Sequence, residues 1–259
     1  MKVFITGASS GIGAALARSY AGRGDACVLV SRRLDVLDTL QQSLASPDLH
    51  RCLVADVTDA AALAEVAKTT IDASGLPDIV IANAGISVGT STEIASNLAA
   101  FRRVVETNLI ATVATFGPFI AAMKAKPRAG GYRLVVIASV AGIRGLPGAG
   151  AYSASKAAVI AYAESLRIEL RGSGIRVVIV APGFIDTPMT VGNPYPMPFL
   201  MNVDRFADQA VRVIDAGRSF TVIPWQMAWL AWLLRVLPDR LLDAALAGRA
   251  RKPMGDERR

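Results

Sequence analysis

Short apolar runs rich in valine and isoleucine recur along the chain, and longer segments with helical spacing of apolar residues lie between them. We predict strands at residues 2–6, 26–31, 51–55, 78–82, 133–139, 175–181 and 219–223. Helices are predicted at residues 12–21, 34–44, 60–71, 101–123, 152–170 and 203–216. Strands that are hydrophobic throughout and separated by helical crossovers are typical of parallel sheets with both faces covered. The pattern therefore predicts a doubly wound α/β fold around a seven-stranded parallel sheet.

Two segments interrupt this alternation, a proline-rich loop at residues 188–198 and a tryptophan-rich segment that begins at Trp225. We therefore predict one α/β domain over residues 1–224, followed by a helical, basic extension over residues 225–259. The apolar stretch 110–123 is shorter than the roughly 18 to 20 residues that cross a bilayer, so it is interpreted as a buried helix or a subunit contact.

The composition narrows the class of protein. Hydrophobic residues make up 53% of the 259 residues and charged residues 19%, which excludes disordered and fibrous proteins. The net charge of +7 suits a phosphate-bearing ligand, nucleic acid or an anionic membrane surface, without choosing among them. Nucleic-acid binding is not expected, because the chain outside the C-terminal segment has no basic stripe with interleaved aromatic residues.

Few residues suit disulfide or metal chemistry. Cys27 and Cys52 lie in apolar runs without metal-binding spacing, so we expect buried free thiols and a reducing compartment. His50, the sole histidine, is expected to be solvated ahead of the third strand, and no metal site is expected. Because the chain begins without the charged and apolar regions of a signal peptide, we expect a cytoplasmic protein.

A glycine-rich turn follows the first predicted strand and opens the first predicted helix. At this position of a Rossmann-type fold, glycines permit close backbone approach and the helix N-terminus attracts a pyrophosphate, so we predict dinucleotide binding. The residues assigned to this contact are Thr6, Gly7, Ser9, Ser10, Gly11, Ile12 and Gly13. The same turn also matches the nucleophile elbow of serine hydrolases. That mechanism needs a histidine late in the chain, and His50 comes too early.

The end of the second predicted strand indicates which dinucleotide binds. About twenty residues after the glycine-rich turn, an NAD-preferring site places an acidic residue against the adenosine ribose. Ser31, Arg32 and Arg33 stand here instead, and the next carboxylate after them is Asp35. Two guanidinium groups and a hydroxyl suit a 2′-phosphate, so we predict NADP(H) as the cofactor. The alternative is that the arginines only solvate the start of the next helix.

A second motif lies further along the chain. Tyr152 and Lys156 are four residues apart at the start of a predicted helix and share one face of it. Ser139 ends the preceding predicted strand, and Asn108 lies in an earlier helix. Together with the glycine-rich turn, these residues resemble the short-chain dehydrogenase/reductase family over nearly the whole chain, from residue 2 to about residue 223. The resemblance implies a nicotinamide cofactor and catalysis by Asn108, Ser139, Tyr152 and Lys156.

The resemblance implies further cofactor contacts at the ends of later strands. These are Asp56 and Val57 at the adenine, Asn83, Ala84 and Gly85 beside the sheet, and Pro182, Gly183, Ile185 and Thr187 around the nicotinamide carboxamide. It also implies that Tyr152 and Lys156 contact the nicotinamide end of the cofactor and that Asn108 holds a water that feeds protons towards Lys156. Ala82 and Ala138 stand where the family often has Asn and Ser, and neither change removes a catalytic group.

The chemistry of these side chains agrees with the resemblance. Carbonyl reduction needs a hydride donor and an acid that protonates the oxygen, and Tyr152 is the candidate acid. Lowering a phenol pKa from about 10 to near 7 takes about 4 kcal/mol, which a Lys156 ammonium and an oxidised nicotinamide could supply. Ser139 would donate a hydrogen bond to the substrate oxygen. We predict an NADP(H)-dependent oxidoreductase that interconverts a carbonyl and a secondary alcohol. The alternative is a catalytically silent NADP(H)-binding sensor or scaffold.

The substrate pocket is expected at the carboxyl ends of the strands, in residues 140–147, residues 184–191 and the loop at residues 194–199. Its lining is assigned to Val140, Ala141, Phe184 and Met189, with Arg144 as the clearest charge nearby. A mostly apolar lining predicts a small apolar carbonyl or alcohol substrate.

The C-terminal segment and two apolar helices indicate partners. Trp225, Trp229 and Trp232 share one face of a helix, in a segment with seven basic and four acidic residues. Interfacial tryptophans with flanking basic residues suit a peripheral membrane contact, here over residues 225–250. The alternative is that this segment packs over the pocket or on another subunit. The apolar helices at 101–123 and 152–170 predict a homo-dimer or homo-tetramer.

Overall fold

A parallel seven-stranded sheet runs through the centre of the protein, in a computed structural model that describes residues 1–248. Its strands are β1 (Lys2–Thr6), β2 (Ala26–Ser31), β3 (Arg51–Val54), β4 (Ile79–Ala82), β5 (Tyr132–Ile137), β6 (Ile175–Pro182) and β9 (Phe220–Ile223). The short strands β7 (Ile185–Asp186) and β8 (Met201–Asn202) pair with each other outside this sheet. The sheet has the order β3-β2-β1-β4-β5-β6-β9, and every pair is parallel. The doubly wound Rossmann-type fold is therefore confirmed.

Helices cover both faces of the sheet. One face carries α1 (Gly11–Ala21), α2 (Leu34–Ser43) and α7 (Val203–Ala216), and the other carries α3 (Ala60–Ser74), α4 (Asn97–Val105), α5 (Ala111–Ala125) and α6 (Gly150–Glu169). Successive residues of β1 show why two layers form. Val3 and Ile5 are buried in the layer with α1, whereas Phe4 is buried in the opposite layer and packs edge-on against Phe119 at 5.1 Å. Apolar residues are thus needed at every position of the strand.

The predicted helix at 101–123 differs from the structure at both ends and in its middle. Helix α4 begins earlier, a π-helical turn occupies Glu106–Ile110, and α5 ends two residues later. The 29-residue run Asn97–Ala125 is long and apolar enough to cross a membrane by length and composition, with a mean hydropathy of 1.4 in its most apolar window. Its Phe116, Phe119 and Met123 are fully buried in the core on this face of the sheet.

Strands β7 and β8 bracket the proline-rich loop and were not predicted. Ile185 pairs with Met201 and Asp186 with Asn202, so the two ends of the loop are held side by side. Asn202 then caps α7, because its side-chain oxygen accepts the backbone N–H groups of Asp204 and Arg205. Strands of two residues are too short to show periodicity.

His50 is buried, and the expectation of a solvated histidine is wrong. Its Nδ1 accepts the backbone N–H of Cys27 at 3.1 Å, and its Nε2 donates to the Ala45 carbonyl oxygen at 2.9 Å. Cys27 is buried as expected, but Cys52 is only half-buried. Burial raises the pKa of the Cys27 thiol to about 12 and that of Cys52 to about 11, so both are thiols at neutral pH.

Two helices occupy the start of the predicted C-terminal extension. Helix α8 (Trp225–Val236) packs on β9 and on a 3-10 turn at Val140–Gly142, and α9 (Asp239–Leu246) follows it. Residues 249–259 of the predicted extension lie outside the described residues.

Candidate active site

The glycine-rich turn between β1 and α1 comes close to the turn after β4. A Cβ atom on Gly7 would lie 2.7 Å from the Ala84 Cα, and one on Gly13 would overlap the Gly7 carbonyl oxygen. Gly7 and Gly11 also have positive φ angles of 65° and 54°, which favour glycine. The Ser10 side chain at the N-cap of α1 makes no capping hydrogen bond. Backbone N–H groups at this helix start therefore suit an anionic ligand.

Asn83 ties this turn to the neighbouring strand. Its Nδ2 donates to the carbonyl oxygens of Thr6 at 3.0 Å and Gly7 at 3.1 Å, and its backbone N–H donates to the Thr6 hydroxyl at 3.2 Å. The Thr6 hydroxyl in turn donates to the Ile81 carbonyl oxygen at 3.3 Å. Thr6 and Asn83 therefore shape the turn, because β1 and β4 are adjacent in the sheet.

The predicted 2′-phosphate residues lie together at the end of β2. The Ser31 hydroxyl accepts the Arg33 backbone N–H at 3.2 Å, and the Arg33 guanidinium donates to the Ser9 hydroxyl at 3.0 Å. Arg32 lies 3.7 Å from the Asp56 carboxylate, and its side chain is 74% exposed. Both guanidinium groups can therefore turn towards a phosphate at little cost in lost contacts.

Asp56 follows β3 and places a negative charge beside Arg32 in the same site. The Thr58 backbone N–H donates to its Oδ1 at 3.0 Å and the Thr58 hydroxyl at 2.8 Å. These two hydrogen bonds, with a smaller contribution from Arg32, hold the pKa of Asp56 below its usual value. Val57, next in the chain, is buried beside it.

One continuous cavity of about 670 Å³ joins these groups to the second motif. Among the predicted residues it is lined by Gly7, Ser9, Ser10, Gly11, Ile12, Ser31, Arg32, Arg33, Asp56, Val57, Asn83, Ala84, Gly85, Ser139, Tyr152, Lys156, Pro182, Gly183, Ile185, Thr187 and Met189. Thr6, Gly13 and Asn108 are not part of this lining, but Thr6 and Asn108 hydrogen-bond Asn83 and Ile86, which are. The volume, the uncapped helix start and the close-packed glycines fit an extended dinucleotide.

Lys156 lies one turn along α6 from Tyr152, inside the protein. Its Nζ donates to the Ile137 carbonyl oxygen at 2.7 Å and lies 5.9 Å from the centre of the Tyr152 ring. The residue is 5% exposed, and burial lowers the pKa of its ammonium from 10.5 to about 8. Burial without a nearby carboxylate partner among its hydrogen bonds thus disfavours the charged form of Lys156.

The Tyr152 phenol has a raised pKa, opposite in direction to the sequence-based expectation. Burial is the largest cause and a Coulomb interaction with Tyr195 adds to it, whereas a hydrogen bond with Ser139 acts in the opposite direction. Ser139 is thus within reach of the phenol, at the point where β5 ends. A phenol pKa near 7 would need positive charge beyond what the described residues supply.

Asn108 lies in the π-helical turn, and both its Oδ1 and its Nδ2 are hydrogen-bonded. Its Oδ1 accepts the Ile86 backbone N–H at 2.8 Å, and its Nδ2 donates to the Ile86 carbonyl oxygen at 3.0 Å and to the Ser155 hydroxyl at 2.9 Å. A Cβ atom on Gly85 would lie 3.1 Å from Asn108 Oδ1 and 3.7 Å from Lys156 Nζ. Gly85 thus leaves a narrow gap between the amide and the ammonium.

The predicted substrate lining coincides with this cavity only in part, and its contact with a substrate stays a prediction. Val140, Ala141 and Phe184 do not line the cavity, and of the four assigned residues only Met189 does. Ala141 is buried in the 3-10 turn, and Phe184 packs against the Tyr195 ring at 6.3 Å. Arg144 pairs with Asp239 of α9 at 2.6 Å and is likewise absent from the lining.

Sequence reasoning also missed several lining residues. The cavity is completed by Ala55, Thr58, Ile86, Arg103, Glu106, Thr107, Ile137, Ala138, Pro188 and Thr190. Thr190 shows why some of them matter, because its hydroxyl donates to the Ile185 carbonyl oxygen at 2.7 Å and accepts the Thr187 N–H at 3.1 Å. Thr107 is next to Asn108 in the chain, so the prediction of Asn108 as a site residue could have indicated that Thr107 lies near the cavity.

Comparison with known proteins identifies the family. Residues 1–194 match the family model described as short chain dehydrogenase. An uncharacterized oxidoreductase of Myxococcus xanthus (strain DK1622) is 38% identical over 243 residues, which cover 93% of this chain and 94% of the relative. The chain belongs to the short-chain dehydrogenase family, and the resemblance drawn from its motifs is confirmed.

Solved structures of this family share the architecture. An alcohol dehydrogenase from the archaeon Thermococcus sibiricus, complexed with 5-hydroxy-NADP, superposes with a TM-score of 0.75 at 28% identity, covering 86% of this chain and 95% of that one. Actinorhodin polyketide ketoreductase with NADPH superposes with a TM-score of 0.76 at 26% identity and the same coverage. The protein is therefore an oxidoreductase with a site for a nicotinamide cofactor.

Proposed function

We propose that the protein is an NADP(H)-dependent oxidoreductase that interconverts a carbonyl and a secondary alcohol on an apolar substrate. A single cavity carries this proposal. One part of its lining holds the uncapped start of α1 and the two arginines after β2, and another part holds Ser139, Tyr152 and Lys156. An anion site and a proton donor in one cavity are what nicotinamide-dependent carbonyl chemistry needs.

The NADP(H) preference rests on charge at the end of β2. Arg32 and Arg33 follow Ser31, and the Arg33 guanidinium already bonds Ser9 of the phosphate-binding turn. A 2′-phosphate would gain charge-assisted hydrogen bonds here that a 2′-hydroxyl would not. Two structural relatives were solved with NADP-type cofactors, which supports the same preference.

The proposed proton donor is Tyr152. When bound, the nicotinamide supplies or accepts the hydride. The Tyr152 phenol gives its proton to the carbonyl oxygen in reduction and takes it back in oxidation. Ser139, which is hydrogen-bonded to this phenol, donates to the same oxygen as negative charge develops on it. Lys156 contributes an ammonium group 5.9 Å from the phenol ring, and this charge favours the phenolate.

The apolar substrate is inferred from residues around the catalytic groups. Ile86, Ile137, Pro188 and Met189 contribute apolar surface to the cavity. Such a lining favours a ketone or secondary alcohol that carries hydrocarbon groups, because hydrocarbon surface is stabilised when it leaves water for apolar surroundings.

A titration of NADPH and NADH, followed by nicotinamide fluorescence, tests the cofactor. Wild type should bind NADPH more tightly, and the double variant Arg32→Asp, Arg33→Ala should lose at least about tenfold in NADPH affinity, since a charge-assisted hydrogen bond contributes about 1.5 to 3 kcal/mol. The double variant Arg167→Asp, Arg171→Ala makes the same charge change outside the cavity and should bind like wild type. Equal affinity of wild type for the two nucleotides would overturn the NADP(H) assignment.

Turnover is tested separately with a panel of apolar ketones and secondary alcohols. Tyr152→Phe should lower turnover by about 100-fold or more and retain NADPH binding. If wild type binds NADPH but turns over none of a broad panel, the protein is a cofactor-binding sensor or scaffold instead.

We also propose self-association in solution, through the face formed by α5 and α6. Ile110 and Val113 are 46% and 40% exposed, and Ile168 on α6 is 65% exposed. Covering such side chains favours association. Light scattering should give the mass of a dimer or tetramer, and the mass of one chain at micromolar concentration would refute the proposal.

A further inference from the structure

Helix α8 presents three tryptophans to solvent. Trp225, Trp229 and Trp232, here called the tryptophan face, are 67%, 66% and 58% exposed, and the last two rings pack edge-on at 6.1 Å. The opposite side of the helix is anchored, because Met227 and Ala231 are buried. Three large exposed aromatic rings side by side on one helix are typical of a binding surface.

The contacts of α8 prevent it from rotating to bury these rings. Met227 packs against Gly183 so closely that a Cβ atom on that glycine would lie 2.6 Å from the Met227 Cγ. The Arg235 guanidinium reaches the Ile143 carbonyl oxygen at 3.4 Å, and the ion pair between Arg144 and Asp239 holds the start of α9. These contacts therefore hold the tryptophan face towards solvent and away from the cavity.

The charge of the segment indicates what kind of surface covers it. From Trp225 to the C-terminus the chain has seven basic and four acidic residues. Residues 225–248 have two of each, so the excess of three positive charges lies in residues 249–259, outside the described residues. Two copies of the segment brought together in a symmetric dimer would repel each other, since each carries a net charge of +3. An anionic surface is attracted instead.

We propose that the tryptophan face docks on the surface of a bilayer that contains anionic phospholipids. Tryptophan rings favour the boundary between headgroups and acyl chains, and basic residues interact with anionic headgroups. Helix α8 has 12 residues and is about 18 Å long, so it lies in the surface rather than spanning the bilayer. The protein is then cytoplasmic with a peripheral membrane contact.

Docking has a consequence for the active site. Helix α8 packs on the Val140–Gly142 turn, which begins directly after Ser139, and Met227 touches Gly183 of the cavity lining. The catalytic edge of the sheet is thus held next to the membrane surface, where an apolar substrate would be concentrated. This consequence rests on the proposed function, whereas docking itself does not.

Vesicle co-sedimentation tests the docking. The protein should sediment with vesicles made from a two-to-one mixture of phosphatidylcholine and phosphatidylglycerol, and far less with phosphatidylcholine alone. Because the protein's three tryptophans all lie on this face, their emission should shift to shorter wavelength on binding and be quenched by brominated acyl chains. Raising the salt concentration should weaken binding through screening.

Variants distinguish vesicle binding through the tryptophan face from binding through any exposed apolar side chain. Trp229→Gln with Trp232→Gln should lower partitioning roughly tenfold or more, because each ring removes a large apolar area from water. Leu49→Gln changes a side chain that is 50% exposed elsewhere and should bind like wild type.

Two outcomes would overturn the proposal. One is wild-type protein that neither sediments with the anionic vesicles nor changes its tryptophan emission. The other is that wild type does not bind vesicles and the double variant has a lower mass than wild type by light scattering. That result would make the tryptophan face a subunit contact. NADPH titration of the same samples reports on the proposed function independently.

Discussion

Replacing Lys156 with methionine should stabilise the folded protein while removing a catalytic group. Burial lowers the pKa of Lys156 from 10.5 to about 8, and the charged form is therefore disfavoured in the folded state. Below pH 8 both the folded and the unfolded protein carry the proton, and the difference in pKa corresponds to about 3 kcal/mol of lost stability. Lys156→Met also loses the hydrogen bond to the Ile137 carbonyl oxygen, worth about 1 kcal/mol. The net gain at pH 7 is then about 2 kcal/mol.

The sign of the pH dependence gives the sharper test. Between pH 8 and 10.5 the unfolded chain holds more protons on Lys156 than the folded protein does, so wild-type stability from this group rises with pH. The advantage of Lys156→Met should therefore shrink by about 2 kcal/mol between pH 7 and pH 9.5.

Urea unfolding of wild type and Lys156→Met at several pH values measures this difference, in which other titrating groups cancel. Lys124→Met, at an exposed lysine in the last turn of α5, controls for the loss of one positive charge. Stability curves of wild type and Lys156→Met that run parallel from pH 7 to pH 9.5 would refute the reasoning.

Three further predictions concern packing and thiol chemistry. His50→Ala should lower the free energy of unfolding by about 1 to 3 kcal/mol, because the Cys27 N–H loses its buried acceptor, and a change near zero in urea titration would contradict this. Gly183→Ala should destabilise the fold by about 1 to 3 kcal/mol through contact with Met227, and adding Met227→Ala should restore part of that loss. An unchanged loss in the double variant would show that the clash is not the cause. Cys27 and Cys52 should react slowly with a disulfide reagent at pH 8 and quickly in urea, and fast native reaction would contradict their raised pKa values.

The sheet could be predicted from the sequence because its strands are short apolar runs, and those in its centre are buried on both faces. Every observed strand of the sheet begins and ends within two residues of its prediction, and β1 and β2 match in full. The π-helical turn could not be found this way, since one extra residue per turn scarcely changes the apolar spacing. Its effect is local: it places the Asn108 amide against the Ile86 backbone.

The candidate site could also be predicted from the sequence only in part. Ser139 follows β5, and Tyr152 and Lys156 lie in the first turns of α6. All three line the same cavity as the glycine-rich turn because parallel strands end at one edge of the sheet, so these motif residues could be placed. Arg144 could not, because its partner Asp239 is 95 residues away and comes from a helix that shows no motif. His50 was misjudged for a related reason, since its burial depends on hydrogen bonds to Cys27 and Ala45 that a sequence pattern does not show.

The hydrogen bonds between Thr6 and Asn83 affect how the chain folds during its synthesis on the ribosome. The two residues are 77 positions apart, yet the Asn83 amide completes the phosphate-binding turn that begins at Thr6. At about 5 to 20 residues per second, a ribosome adds Asn83 roughly 4 to 15 seconds after Thr6. During that interval the nascent chain already contains the whole glycine motif but lacks the side chain that holds it in shape, so it should gain affinity for a nucleotide only after β4 has joined the sheet.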